Sequence, residues 1–379
     1  MSGEFVPLHE TGAERLKQLQ ELSDAFRERR ADYLSECGLA DVEKLLTAER
    51  SVRTADEVAS QQRFHHWDLR FAEVFASRGG FDLTIGNPPW VKLSWNESAV
   101  ISDFEPSLEN RKTQAAKALE RRDSILKDST VFGLYRSEFE QMEGTQQFLN
   151  SLQNYPVLRG LQTNVYKCFL SRSWQVGNRL GASAFLHPEG VYDDPKGGAL
   201  REHLYPRLRY HFQLVNELRL FSEIGHLVKF SLNTYSSQTK DTVQFFHISN
   251  LFHPKTIDQS FSHDGVGPIP GLKNPEGDWE LRAHLNRVIS VDRRALEMFS
   301  GLYEGSGASV FAARLPVIHS REILRVLERL AKQPQRLGAF SDQYFGTVMW
   351  DETNSQKDGT IRRQTEYPDD PTALVLSGP

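Results

Sequence analysis

The segment Gly79-Gly-Phe-Asp-Leu-Thr-Ile-Gly-Asn-Pro-Pro-Trp90 limits what this chain can fold into more than any other stretch. Phe81 to Ile85 is short, apolar and bounded by glycines, the pattern of a buried strand. Two prolines follow. They fix φ, remove two backbone donors and cannot enter a ladder, so the strand stops at Gly86 and the chain turns. In an open α/β sheet, ligands sit in the crevice outside the carboxyl ends of strands, which is where this turn falls. Asn87 brings a side-chain carbonyl acceptor and an amide donor there. The Pro88 carbonyl is free of ladder duty, and Trp90 offers a flat apolar face.

Those groups suit one chemical task. An exocyclic amine on a planar base is a poor nucleophile because its lone pair is delocalised into the ring. Two acceptors, the Asn87 side-chain oxygen and the Pro88 backbone oxygen, could hold its two N–H groups and favour the more tetrahedral nitrogen of the transition state. Trp90 would stack on the base once it has left the duplex. Such stacking gives roughly 1–3 kcal/mol, comparable to the cost of unstacking. The same residues also read as a rigid Asn-Pro-Pro turn over a core tryptophan.

The rest of the chain sets the context. Its 379 residues, 39% hydrophobic and 25% charged, suit a globular protein of one large or two ordinary domains. No apolar run reaches the ~18 residues of a transmembrane helix, and the first residues lack the basic start and apolar core of a signal peptide. Cys37 and Cys168 are too far apart in sequence to suggest a metal pair, and a cytoplasmic setting is expected. The formal net charge of −5 is not that of a protein living on phosphate contacts alone. Basic pairs at Arg111-Lys112, Arg121-Arg122, Arg207/Arg209, Arg293-Arg294 and Arg362-Arg363 read as solvated faces.

Along the chain, residues 10 to 60 read as helix, with Leu16, Leu19, Leu22, Phe26 and Tyr33 on one face. Thr54 to Glu57 has the form of a capping box that would open a further helix. Residues 96 to 160 read as a charged helical insertion and 164 to 175 as a buried helix. Gly177 to Pro188 gives a turn and a strand, and 197 to 208 a helix. Strands follow at 213–221, 228–235 and 242–248. Residues 251 to 290 read as loop-rich, Ser320 as the cap of a helix carrying Ile323, Leu324, Leu327 and Leu330, and 338 to 379 as β-like.

With these residues in order, the chain resembles the large adenine-specific (N6) DNA methyltransferases of type II restriction–modification and phage-exclusion systems. FDLTIGNPPWV resembles their motif IV, (D/N/S)-P-P-(Y/F/W). His66-Trp67, Asp68 and Phe71-Ala-Glu-Val-Phe75 resemble the segment preceding it. Asn164-Val-Tyr166-Lys-Cys-Phe169 is similar to an N-L-Y-x-x-F helix, and Gly181 to Pro188 with Gly198-Ala-Leu-Arg201 to the strand and helix after it. The resemblance spans about residues 60 to 335. It implies a partial class I methyltransferase-like (Rossmann-like) α/β fold with a mixed sheet, a helical N-terminal extension and a helical insertion. It also implies S-adenosylmethionine as methyl donor, DNA as partner, and Asn87, Pro88, Pro89 and Trp90 as the site.

One departure matters. The family binds its cofactor through a glycine-rich loop upstream of motif IV, and nothing in residues 1 to 80 fits. Gly265-Val-Gly267 is followed by prolines and no helix, so it is rejected, and cofactor-binding residues stay unassigned. The expectation is therefore a target-base half, completed by a second chain carrying the cofactor loop. Its divisions are a helical extension at 1–62, a catalytic region at 63–335 with the insertion at 96–160, and the start of a β-rich, target-recognition region at 336–379. The alternatives are a non-catalytic DNA- or partner-binding remnant of a split methylase, and an RNA or protein-glutamine N-methyltransferase. His65, His66 and Asp68 read as structural, with no metal site. Pro368-Asp369-Asp370 lacks the E-x-K of a nuclease motif. Phe64, Trp67, Phe71 and Phe75 read as core. Glu189, Asp193 and Asp194 read as a solvated loop near the cleft.

Overall fold

The strand expected at Phe81–Ile85 forms as β1 (Phe81–Gly86), at an edge of its sheet. The computed structural model describes residues 40–104, 122–161, 164–304, 307–335, 340 and 351–360. Its six-stranded sheet adds β2 (Gly177–Pro188), β3 (Leu208–Val215), β4 (Lys229–Ser236), β5 (Gln244–Leu251) and β6 (Ile289–Asp292) in the order β1-β2-β4-β3-β5-β6. β1 runs parallel to β2, and β3 parallel to β5. The β2–β4, β3–β4 and β5–β6 pairs are antiparallel. The α/β class with a mixed sheet is as expected.

β1 is less buried than its composition suggests. Leu83 is 58% and Ile85 72% exposed. Both project on the sheet face that holds Ala182, Ala184 and Leu232, because Leu83 pairs with Ala182, Ile85 with Ala184, and Leu186 with Leu232. The prediction of a buried strand fails because this face of the sheet is open: Leu232, on the same face of the central strand β4, is exposed as well. At its start Gly80 has φ +138, and a Cβ there would lie 2.5 Å from the Val176 carbonyl oxygen. Only glycine lets β1 begin this close to the junction before β2.

The chain divides into two compact units at Ala72/Glu73. In the first, α1 (Val42–Ala48) is capped by Asp41, which accepts the Lys44 N–H at 3.1 Å. α2 (Arg50–Gln62) ends at Arg63 in the left-handed region. Thr54 lies inside α2 and starts no helix. Its preceding turn is already helical, so the orphan N–H groups that a cap would serve are absent there. In α3 (Trp67–Arg70) and just beyond it, Trp67 stacks on Phe71 at 5.6 Å and His65 meets Trp67 edge-on at 4.8 Å. Phe64 is exposed and Trp67, Phe71 and Phe75 are half-buried, so none of the four is the fully buried core residue expected. The Leu16–Tyr33 stripe and Cys37 lie outside the described residues.

α4 (Ala72–Arg78) leads to β1. Between β1 and β2 the described residues are largely helical: α5 (Glu97–Phe104), α6 (Ser129–Asn150) and α7 (Val165–Val176). Asp128 caps α6, accepting from the Thr130 and Val131 N–H groups at 2.8 and 3.2 Å. α7 buries Tyr166, Leu170 and Trp174, an i, i+4, i+8 stripe that leaves Phe169 on the outer side, contrary to expectation. α7 and the short helices α8 (Gly190–Asp193) and α9 (Gly198–Leu204) contribute to the larger core with Phe185, Tyr235, Phe245, Ile289 and Val291 of the sheet. Buried Arg201 of α9 donates to the carbonyls of Ala312, Asp194 and Val191 at 2.8, 2.7 and 3.3 Å.

The loop-rich stretch 251–290 contains one α-helix, α10 (Lys255–Ser262). α11 (Arg293–Tyr303) is capped by Asp292, and α12 (Arg321–Ala331) follows Ser320, whose hydroxyl makes no capping bond. The described part of the supposed β-like tail holds a helix, α13 (Glu352–Lys357), started by Asp351 accepting the Asn354 N–H at 2.8 Å. Arg111-Lys112, Arg121, Arg362-Arg363 and Pro368 to Asp370 lie outside the described residues. No helix among the described residues is long and apolar enough to cross a membrane.

Candidate active site

Asn87 leaves the carboxyl end of β1 one residue beyond Gly86, which pairs with Phe185 of β2. Its side chain is exposed and has no hydrogen-bond partner among the described residues. Pro88 is buried and Pro89 exposed, so the turn is anchored by one proline and faces solvent with the other. Trp90 is half-buried. Its indole N–H donates to the Leu186 carbonyl of β2 at 3.3 Å. The ring lies 5.7 Å from Phe230 and 5.9 Å from Phe221, tilted by 36° and 63°. The four residues singled out from the sequence therefore stand together, with Asn87 unengaged and Trp90 fixed to the neighbouring strand.

The chain beyond the turn is also held. The Val165 N–H, at the start of α7, donates to the Val91 carbonyl at 3.0 Å. The Gln146 amide of α6 donates to the Leu93 carbonyl at 2.6 Å. The helical stretch between β1 and β2 thus supports the floor of the turn, a role invisible in its charged sequence.

Three residues that sequence reasoning passed over shape the site. Phe221 was assigned to a strand over 213–221, but β3 stops at Val215. Asn216 then opens a loop that carries Phe221 back to Trp90. Phe230, at the start of β4, forms the other aromatic contact and sits in a small core with Phe212, Leu214, Ile248 and Leu251. The signal for Phe221 was the polar Asn216-Glu217 interrupting the apolar run.

Glu189 corrects another expectation. It is buried, not part of a solvated loop. It follows Pro188 and turns inward, accepting from the Gln213 amide at 2.8 Å and lying 3.0 Å from His211 Nε2. Burial pushes its carboxyl up, but His211, Ser231 and Gln213 outweigh this and hold it at about 2. His211 Nδ1 in turn lies 2.7 Å from His247 Nδ1. Asp193, exposed by contrast, is raised by partial desolvation and by the charge of Glu189. Asp194 pairs with buried Lys167 at 3.6 Å.

Beside this network His187 receives the Asn233 amide on Nε2 at 2.9 Å, so Nε2 is the acceptor and Nδ1 carries the proton toward the Pro188 carbonyl at 2.8 Å. Burial pushes the imidazole down from 6.5 to about 4. Below 6.5 the unfolded chain gains a proton that the native state refuses, so stability falls as pH drops from 6.5 toward 4, by about 3 kcal/mol over the full window. Urea unfolding at stepped pH is expected to show this loss, with a weaker slope in His187→Gln. An identical slope in that variant would remove His187 as its source.

Among the described residues no set of His, Cys, Asp or Glu is arranged to hold a metal. Nor do they fit a cradle for S-adenosylmethionine. The turn after β1 is Asn-Pro-Pro, the turn after β2 is occupied by the inward carboxylate of Glu189, and Gly265 and Gly267 precede no helix that could receive a ligand at its N-terminus.

Residues 15–132 match the family model described as Eco57I restriction-modification methylase. No curated protein matches the chain. Among solved structures, similarity is found to the methyltransferase subunit of a type I restriction-modification system from Streptococcus thermophilus, with 14% identity, 27% of this chain and 22% of that chain covered, and a TM-score of 0.23. A modification subunit of a type I restriction enzyme from Vibrio vulnificus YJ016 matches with 15% identity, 43% and 34% coverage, and a TM-score of 0.25. The EcoKI M protein matches with 15% identity, 53% and 49% coverage, and a TM-score of 0.26. The chain thus spans less than half the length of each of these three.

Proposed function

We propose that this chain, matched over residues 15–132 by the restriction-modification methylase family, is the target-base half of an adenine-N6 DNA methyltransferase. It acts in restriction–modification or phage defence. The observation that carries the reading is the Asn87 turn: an unengaged amide at a strand's carboxyl end, next to an indole locked to β2. Asn87 Oδ1 and the Pro88 carbonyl accept the two N–H groups of the adenine amine. This raises the nucleophilicity of N6 without a covalent intermediate. Trp90 stacks on the extruded base.

The methyl group comes from S-adenosylmethionine held by a second polypeptide, because the described residues of this chain do not fit that ligand. The open edge of β1 supports this partner. Among the described residues β1 pairs with β2 on one side and with no strand on the other, and its Leu83 and Ile85 are exposed on one face of the sheet. Sheets with parallel strands are ordinarily covered on both faces. The misfit of the described residues to that ligand equally favours a second reading, a non-catalytic subunit that binds DNA or a methylase.

One experiment separates them. The chain is mixed with polypeptides encoded beside its gene, duplex DNA and tritiated S-adenosylmethionine, and N6-methyladenine is measured. Methylation that requires this chain is expected, while the chain alone shows no calorimetric binding of S-adenosylmethionine tighter than millimolar. Reconstituted methylation that proceeds equally well without this chain would leave only the non-catalytic reading.

A further inference from the structure

We propose that Asn216 is a positioning residue for the base site, holding Phe221 against the Trp90 indole through its own side-chain amide. Asn216 is fully buried at the point where β3 gives way to the loop that returns to β4. Its Nδ2 donates to the carbonyls of Phe221, Ile224 and Gly225 at 2.8, 3.1 and 3.4 Å, and its Oδ1 accepts the Phe221 N–H at 3.0 Å. The backbone closes the same ring: the Asn216 N–H donates to Val228 at 3.1 Å, and its carbonyl accepts from Arg219, which is left-handed at φ 52.

One side chain thus replaces the ladder that a loop of this length lacks. Without it the loop has little to hold it. Leu218, Leu220, Leu227 and Val228 are exposed, and Phe221 and Ile224 are the residues that reach the small core. Phe221 lies between two partners, Trp90 at 5.9 Å and Phe230 at 5.2 Å, so its position sets the space beside the indole. Asparagine is required because the site needs both a donor and an acceptor at one amide. Aspartate keeps the shape and the acceptor but cannot serve three carbonyls.

This rests on the reading of Trp90 as the base-stacking ring, and the test separates the two. The chain is labelled with 5-fluorotryptophan, and the Trp90 resonance is assigned by Trp90→Phe. Asn216→Ala and Asn216→Asp are each expected to move that resonance in the same direction as Phe221→Leu, leaving the other tryptophan signals in place. Amide exchange over 217–228 should accelerate about tenfold or more, the equivalent of one lost buried hydrogen bond. On duplexes carrying 2-aminopurine at the target adenine, the same variants should weaken quenching of the extruded base at unchanged DNA affinity.

Should the alanine variant fail to fold, the isosteric aspartate carries the test. A Trp90 resonance and loop exchange at wild-type values in Asn216→Asp would overturn the proposal. If both change while the wild-type chain never quenches 2-aminopurine, the hold of Asn216 on Trp90 stands and the base-site reading falls.

Discussion

Asn87→Ala is expected to lower N6-methyladenine formation in the reconstituted enzyme by about 10²–10³-fold, the usual cost of one preorganised group that meets the developing charge. It should do so with almost no change in stability. Asn87 is exposed and bonds nothing among the described residues, and substitutions at such positions shift unfolding by about 0.5 kcal/mol or less. A large kinetic effect with an unmoved urea midpoint is the signature of a residue kept for chemistry. Trp90→Ala would behave differently, because it also removes contacts with Phe221 and Phe230 and the bond to Leu186. Initial rates of tritium transfer, measured with urea unfolding of each chain, test both. A near wild-type rate in Asn87→Ala would remove Asn87 from the reaction, whatever the state of Trp90.

The turn itself was legible in the sequence because proline permits few alternatives. Pro88 and Pro89 force the strand to end, and a strand that ends beside a second parallel strand places Asn87 at a carboxyl edge. The edge position of β1 was not legible. Nor was the exposure of Leu83 and Ile85, since a run such as Phe-Asp-Leu-Thr-Ile has the same composition whether or not something packs on the face its side chains enter, and Leu232 of the central strand is exposed on that face as well. The aromatic partners of Trp90 were hidden for a related reason. Phe221 and Phe230 reach it from the far ends of a loop whose path is set by the Asn216 amide, and no local period records such a bond. Glu189 shows the opposite limit. A carboxylate next to Gly190 and close to Asp193-Asp194 reads as loop surface. Its burial follows only from His211 and Gln213, brought within reach by β3.

Glu189→Ala is expected to be the most destabilising single change near the site, costing about 3–5 kcal/mol, since it leaves the partners of a buried charge uncompensated. His211 would lose its 3.0 Å partner, and Gln213 and Ser231 would lose an acceptor. Glu189→Gln retains the shape and one acceptor oxygen, so its loss should be nearer 1–3 kcal/mol, about that of one unsatisfied buried group. The two variants also differ from wild type in pH response. The Glu189 carboxyl is held at about 2 against an ordinary 4.5, so its contribution is present above 4.5 and fades as pH falls toward 2. The gap between wild type and Glu189→Gln in urea unfolding should therefore be constant from pH 7 to about 5 and narrow below it. The site would register the loss as well. Glu189 anchors the chain just past Leu186, whose carbonyl holds the Trp90 indole, so loosening it should raise amide exchange at the end of β2 before the molecule unfolds globally. A Glu189→Ala chain within about 1 kcal/mol of wild type, with unchanged exchange there, would show that the inward carboxylate is not what fixes the site's second strand.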